Sequence, residues 1–191
     1  PDAALWWPRG YGDQPLYTIR MELRRHGEIV DARTERIGLR TFRLDRSFAP
    51  GAQKFQMYVN NTPIFVIGTN WVPLCALHDR DEMRLDRAFA LLDESNANFV
   101  RCWGGNVYEQ TRFFDLCDET GIMVWQDFAL GNTNYPKNDG FADAIRAEAA
   151  AVARKLRNHA SLALRCSDNK IDLKNMAYNY PHIDVRENYI V

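Results

Sequence analysis

The sequence has little excess of charge of either sign. Its 24 lysines and arginines stand against 25 acidic residues, with no basic stripe, so there is no electrostatic footprint for nucleic acid. No apolar run approaches the ~20 residues of a membrane span, and no membrane partner is expected. Metal ligands are scarce and scattered. Cys75, Cys102, Cys117 and Cys166 lie far apart, and His78 and His159 have no second ligand at metal spacing. No metal and no cofactor are therefore expected. No glycine-rich phosphate turn opens a helix; Gly104-Gly105 alone is weak evidence for one. Pro1 is followed by no charged-then-apolar leader, so the start reads as trimmed or processed, and the compartment is not legible.

What is present supports a packed core: 46% of residues are hydrophobic and 12% aromatic, which argues against disorder. The pattern changes along the chain. Residues 16–23 and 35–44 alternate in the strand period, with a turn at His26-Gly27-Glu28. Two or three strands cannot bury both faces alone, so residues 1–45 are assigned as the last strands of a β-sandwich. The polar stretch 45–53 is the linker candidate. Residues 55–59, the Asn60-Asn61 turn and 63–68 then predict a hairpin leading into a first buried strand.

From there strands and helices alternate. Helices are expected over 81–95, 109–119 and 141–157. The first has capping-box spacing in Asp79 and Glu82, the second has Gly121 as its stop, and the third has Ile145, Ala149, Val152 and Leu156 on its inner face. Strands are expected over 99–103, 122–125 and 161–164. Cys102 and Cys166 fall inside apolar strand-like runs, where a free thiol acts as a small hydrophobe. Alternation of this kind indicates parallel βα units. The fold class is therefore α/β: about four βα units of a (β/α)8 TIM barrel over residues 46–191, preceded by the sandwich strands. A complete barrel needs roughly 250 residues, so the remainder of this one is expected to be missing.

Chemistry in such barrels sits at the C-terminal strand ends. Those ends carry Asn70-Trp71, Trp103-Gly104-Gly105, Gln126-Asp127 and Asp168-Asn169. Trp71 and Trp103 are candidates to stack on the apolar face of a ligand, while Trp125 fits stacking and core filling equally. Arg101 and Asp127 are candidates for a buried ion pair or for positioning reacting groups; pairing is the usual state of charges inside a barrel mouth.

Several strings are specific. Residues 5–17, Gly38-Leu39-Arg40-Thr41-Phe42, residues 59–65 and Gly68-Thr69-Asn70-Trp71-Val72-Pro73 resemble the domain junction and barrel entrance of family 2 glycoside hydrolases. Arg101-Cys102-Trp103-Gly104-Gly105, Tyr108, Asp115-Leu116-Cys117-Asp118-Glu119, residues 121–128 and Leu156-Arg157-Asn158-His159 resemble the β-mannosidase branch. The resemblance runs to Leu164 and sharpens the sandwich to an immunoglobulin-like one.

That resemblance implies a retaining, exo-acting hydrolase of terminal β-mannosides with two glutamates, and a carbohydrate as partner. Carboxyl groups about 5–5.5 Å apart suit such double displacement, one acting as acid and one as nucleophile. The family's Asn-Glu pair falls on Asn169-Lys170. Asn169 would bond the sugar 2-hydroxyl, whereas Lys170, with a reference pKa of about 10.4, is poorly matched to acid–base work at neutral pH. Ser167-Asp168 resembles the Ser-Asp pair of some exo-glucosaminidases and makes Asp168 a surrogate acid, at the cost of a two-residue shift. Arg165 stands where the family has tryptophan, and Cys75 where it has a sugar-binding aspartate. After Asp172 the resemblance fades and no nucleophile string follows. The chain is accordingly expected to be a fragment, inactive by itself. The alternatives are a non-catalytic sugar-binding remnant and a glucosaminidase-like hydrolase using Asp168.

Overall fold

The computed structural model describes residues 3–131, 133, 135–136 and 138–169, with the side chain of Ala49 left aside. The chain opens with an irregular segment and then a hairpin, β1 (Tyr17–Arg25) with β2 (Glu28–Ile37). His26 and Gly27 turn it with φ of 52° and 89°. Apart from half-buried Glu35 and Ile37, both strands are exposed on both faces, leaving Ile19, Met21, Leu23 and Val30 in solvent.

The run expected as one strand over 35–44 is divided. At 38–41 the chain leaves the hairpin: the Leu39 carbonyl accepts the Trp6 amide at 2.8 Å, and Arg40 donates to the carbonyls of Ala160 and Leu162. Those tertiary bonds outcompete continuation of the ladder. β3 (Phe42–Asp45) follows, and the stretch expected as linker forms a small hairpin, β4 (Phe48–Ala49) with β5 (Ala52–Gln53). β6 (Gln56–Val59) and β7 (Thr62–Ile64) turn through Asn60 and Asn61 at φ of 49° and 66°, a left-handed pair that asparagine tolerates. The antiparallel order is β3-β6-β7, so a division at residue 45 runs through one sheet.

The second sheet is parallel, in the order β11-β10-β9-β8, from β8 (Gly68–Trp71), β9 (Phe99–Cys102), β10 (Met123–Asp127) and β11 (Leu162–Cys166). Its first strand is 68–71, and residues 65–67 between it and β7 have no regular structure. The Asn98 side chain spans the gap, donating to the Phe65 carbonyl at 3.0 Å and accepting from the Ile67 amide at 2.9 Å. Helices α1 (Glu82–Glu94), α2 (Thr111–Thr120) and α3 (Asp139–Leu156) connect the strands. The expected capping box is not formed. Asp79 lies in a 3-10 turn, His78–Arg80, and the residue before α1, Asp81, accepts from or is paired with His78 Nδ1 at 3.0 Å. Gly121 does stop α2, at φ 75°, and Asn138 caps α3 by accepting the Phe141 amide at 2.9 Å.

Strand alternation sends side chains to two cores. Trp71, Val100, Cys102, Val124 and Leu162 meet the helices, where Phe89, Phe113, Phe114 and Leu156 bury their apolar stripes. Phe99 and Met123 point the other way, onto Met57, Val59, Ile64 and Trp6. The antiparallel sheet and the N-terminal segment thus close the sheet at its strand starts. The strand ends are left to polar residues.

Candidate active site

Arg101 and Asp127 lie at the C-terminal ends of adjacent strands, and Asn169 follows the end of β11. Arg101 donates to Asp127 Oδ2 at 2.5 Å and to Asn169 Oδ1 at 3.1 Å. Asp127 is buried and also accepts the Gly104 amide at 3.1 Å. Burial pushes the Asp127 carboxyl above the ordinary carboxylate range, while the Arg101 bonds and the Gly104 amide pull it back. Asn169 is buried, and its own amide donates to the Leu130 carbonyl at 2.9 Å. Asn70 stands beside Arg101 in the ladder and is exposed. The result is a polar floor with a fixed guanidinium fork, one oriented amide and one desolvated carboxyl.

The tryptophans and acids named from sequence divide. Trp125 is half-buried, with the Arg101 guanidinium 5.1 Å from its ring centre and Phe55 stacked at 6.1 Å. Trp103 is half-buried, and its ring occupies the space a side chain at Gly105 would need. A side chain at Gly104 would meet the Leu130 carbonyl. These close approaches give the glycine pair its reason. Trp71 is a correction. It is only 5% exposed, tilted against Phe113 at 4.8 Å and Phe89 at 5.9 Å, so its ring faces the helix core and cannot stack on a sugar. Even spacing to the strand end could not reveal this, because adjacent strand residues face opposite sides. Asp168 is half-buried and accepts Ser167 Oγ at 3.0 Å. Lys170 lies outside the described residues, as does the tail after Asp172.

Sequence reasoning missed Glu109. It is buried beyond β9 and accepts Trp71 Nε1 at 2.9 Å, while its backbone carbonyl takes Lys155 Nζ at 3.1 Å. Asn106 ties the Trp71 carbonyl to the same loop. A single acidic residue ahead of an amphipathic helix gives no pattern by which to detect this. Burial raises the Glu109 carboxyl above its ordinary value of 4.5, and the Trp71 bond opposes the rise. A raised folded pKa means the unfolded chain ionises first as pH rises, so this group lowers stability above that window and not below it. Glu109→Gln keeps an acceptor for Trp71 and removes the charge. Its stability relative to the parent is expected to be higher at pH 8 than at pH 4.5 in urea unfolding; an equal difference at both pH values would contradict the assignment.

Asp118 is a further buried carboxylate. It accepts the Ser161 amide at 2.8 Å and pairs with His159 Nδ1 at 2.7 Å, while its carbonyl takes Trp6 Nε1 at 2.8 Å. His159 thus anchors the entry to β11, in keeping with a structural role. Among the described residues no group of three or more His, Cys, Asp or Glu side chains is placed to hold a metal ion, and the four cysteines are free thiols.

Residues 1–40 match the family model described as glycosyl hydrolases family 2. The chain is 34% identical over 185 residues to a β-mannosidase of Mus musculus, covering 95% of this chain and 21% of that protein. It is 37% identical over 188 residues to β-mannosidase B of Thermothelomyces thermophilus, covering 95% and 22%. The solved β-D-mannosidase of Dictyoglomus thermophilum superposes with a TM-score of 0.82 at 39% identity, over 87% of this chain and 21% of that one. The chain spans about a fifth of the length of the curated relatives it matches. Its first 40 residues match the family 2 glycosyl hydrolases, and over most of its length the chain is similar to the β-mannosidases.

Proposed function

We propose that this chain carries the acid-side half of a retaining β-mannosidase site, built on the first four βα units of a TIM barrel. In this reading the exposed hairpin β1–β2 belongs to an immunoglobulin-like sandwich. The segments flanking it, including β3, belong with the barrel, so the domain division falls around the hairpin and not at residue 45. The observation that carries the reading is the convergence of Arg101, Asp127 and Asn169 at the C-terminal ends of parallel strands, the end at which barrel enzymes bind substrate.

Asn169 would present its amide to the sugar 2-hydroxyl, with Arg101 holding the amide oxygen so that the NH2 points outward. Asp127 keeps Arg101 in place. Trp103 and Trp125, each half-buried, are the ring faces left for a pyranose. In sequence, Lys170 falls where the resemblance puts the acid, and it is not a carboxylic acid, so in this reading the chain binds a terminal β-mannoside without hydrolysing it. The Ser167–Asp168 bond favours a second reading, in which Asp168 is a shorter surrogate acid for a glucosaminidase-like reaction.

Titration of the 191-residue chain with methyl β-mannoside, followed by amide NMR, tests the binding claim. Saturable shifts around residues 101, 127 and 169 are expected. Asn169→Ala should weaken binding at least about fivefold, the value of one or two lost hydrogen bonds. Identical titrations of the two proteins would sink the assignment.

A further inference from the structure

Asn169 is held from two sides. Arg101 fixes its side chain, and the Leu130 carbonyl fixes its backbone. Leu130 belongs to the loop after β10, whose described residues form neither helix nor strand, so bonds to other elements hold it in place. One such bond comes from the loop after β9. The Ala129 amide donates to the Tyr108 hydroxyl at 2.8 Å, and that hydroxyl donates to Glu148 Oε1 on α3 at 2.5 Å. Gly104 packs against the Phe128 and Leu130 carbonyls, and the Leu130 side chain is buried beside Tyr135, Phe141 and Ile145. The Phe128 amide donates to the Cys166 carbonyl at 2.9 Å, three residues before Asn169.

We propose that Tyr108, oriented by Glu148, is a positioning residue for Asn169: it fixes the loop at Ala129, and the loop's Leu130 carbonyl fixes the Asn169 backbone. The inference rests on the mannosidase reading only for what Asn169 does with a ligand. A phenol suits the task because one hydroxyl both accepts the amide proton and donates to the carboxylate. Burial, followed by the Glu148 bond, raises the Tyr108 phenol above its ordinary range, so it keeps its proton at neutral pH. Tyr108 itself touches no residue of the Arg101–Asp127–Asn169 floor through these bonds. Its effect would be transmitted through geometry alone.

The test uses nitrogen-15 labelled full chain and two substitutions. Tyr108→Phe removes only the hydroxyl and leaves the ring in place. It is expected to move the Asn169 side-chain amide and Arg101 Nε–H resonances and to weaken methyl β-mannoside about fivefold. Glu148→Gln retains an acceptor for the phenol and is expected to leave both resonances and affinity near those of the parent. Changes confined to Ala129 and Glu148, with Asn169 and Arg101 unmoved, would overturn the relay. Equal disturbance by both substitutions would overturn the role of the phenol–acceptor bond. If the unsubstituted chain ignores the mannoside altogether, the functional reading fails, while the resonances still decide the positioning.

Discussion

Trp6→Ala is expected to lower the unfolding free energy by about 3–5 kcal/mol, the range for removing a large aromatic side chain from a core. Trp6 is 0% exposed and lies in the core that joins Met57, Val59 and Ile64 of the antiparallel sheet to Phe99 and Met123 of the parallel one. Its indole nitrogen donates to the Asp118 carbonyl, its amide to Leu39, and its carbonyl accepts Asn60 Nδ2 at 3.0 Å. Truncation leaves a cavity among elements from four parts of the chain and strands an acceptor on Asp118, so little collapse can compensate. Met21→Ala, at a position 49% exposed on the hairpin, is the control and should change stability by no more than about 0.5 kcal/mol. Urea unfolding of both variants decides it. A Trp6→Ala loss no greater than the control's would mean that the N-terminal segment does not pack as described. The packing also bears on the site, because Phe99 and Met123 sit two residues before Arg101 and Trp125 on the same strand faces.

Much of this arrangement was legible in the sequence, for reasons particular to each element. The βα alternation was readable because the parallel strands are short and joined by amphipathic helices, and because left-handed backbone preference marks the helix stop at Gly121 and the separate hairpin turn at Asn60-Asn61. Arg101, Asp127 and Asn169 were readable as strand-end polar residues, although their direct bonds to one another were not, since loop geometry decides whether Asn169 reaches back to Arg101. Trp71 was misread for a simple reason: a tryptophan at a strand end faces helix core or barrel mouth according to one residue of register. The break after Ile37 was hidden because it is made by partners 120 and more residues away, Ala160 and Leu162 on Arg40. Local periodicity cannot see such contacts. Glu109 was hidden for the same reason, its partner Trp71 lying 38 residues upstream.

The other large effect concerns turnover. If the chain holds the acid-side half of a retaining site, hydrolysis requires a carboxylic acid where Lys170 now stands and a nucleophile from a later strand. An ammonium with a reference pKa of about 10.4 gives up its proton reluctantly at neutral pH, whereas a buried glutamic acid can be tuned to about 6–7. Loss of an acid–base catalyst typically costs on the order of 10²–10⁴ in rate, and loss of the nucleophile removes the covalent route altogether. The measurement that tests this most directly is release of chromophore from an aryl β-mannoside. Three proteins are compared: the 191-residue chain, the same chain continued through the rest of a relative's barrel, and that longer protein with Lys170→Glu. The account predicts turnover above background only for the third. Hydrolysis by the 191-residue chain unaided would contradict it.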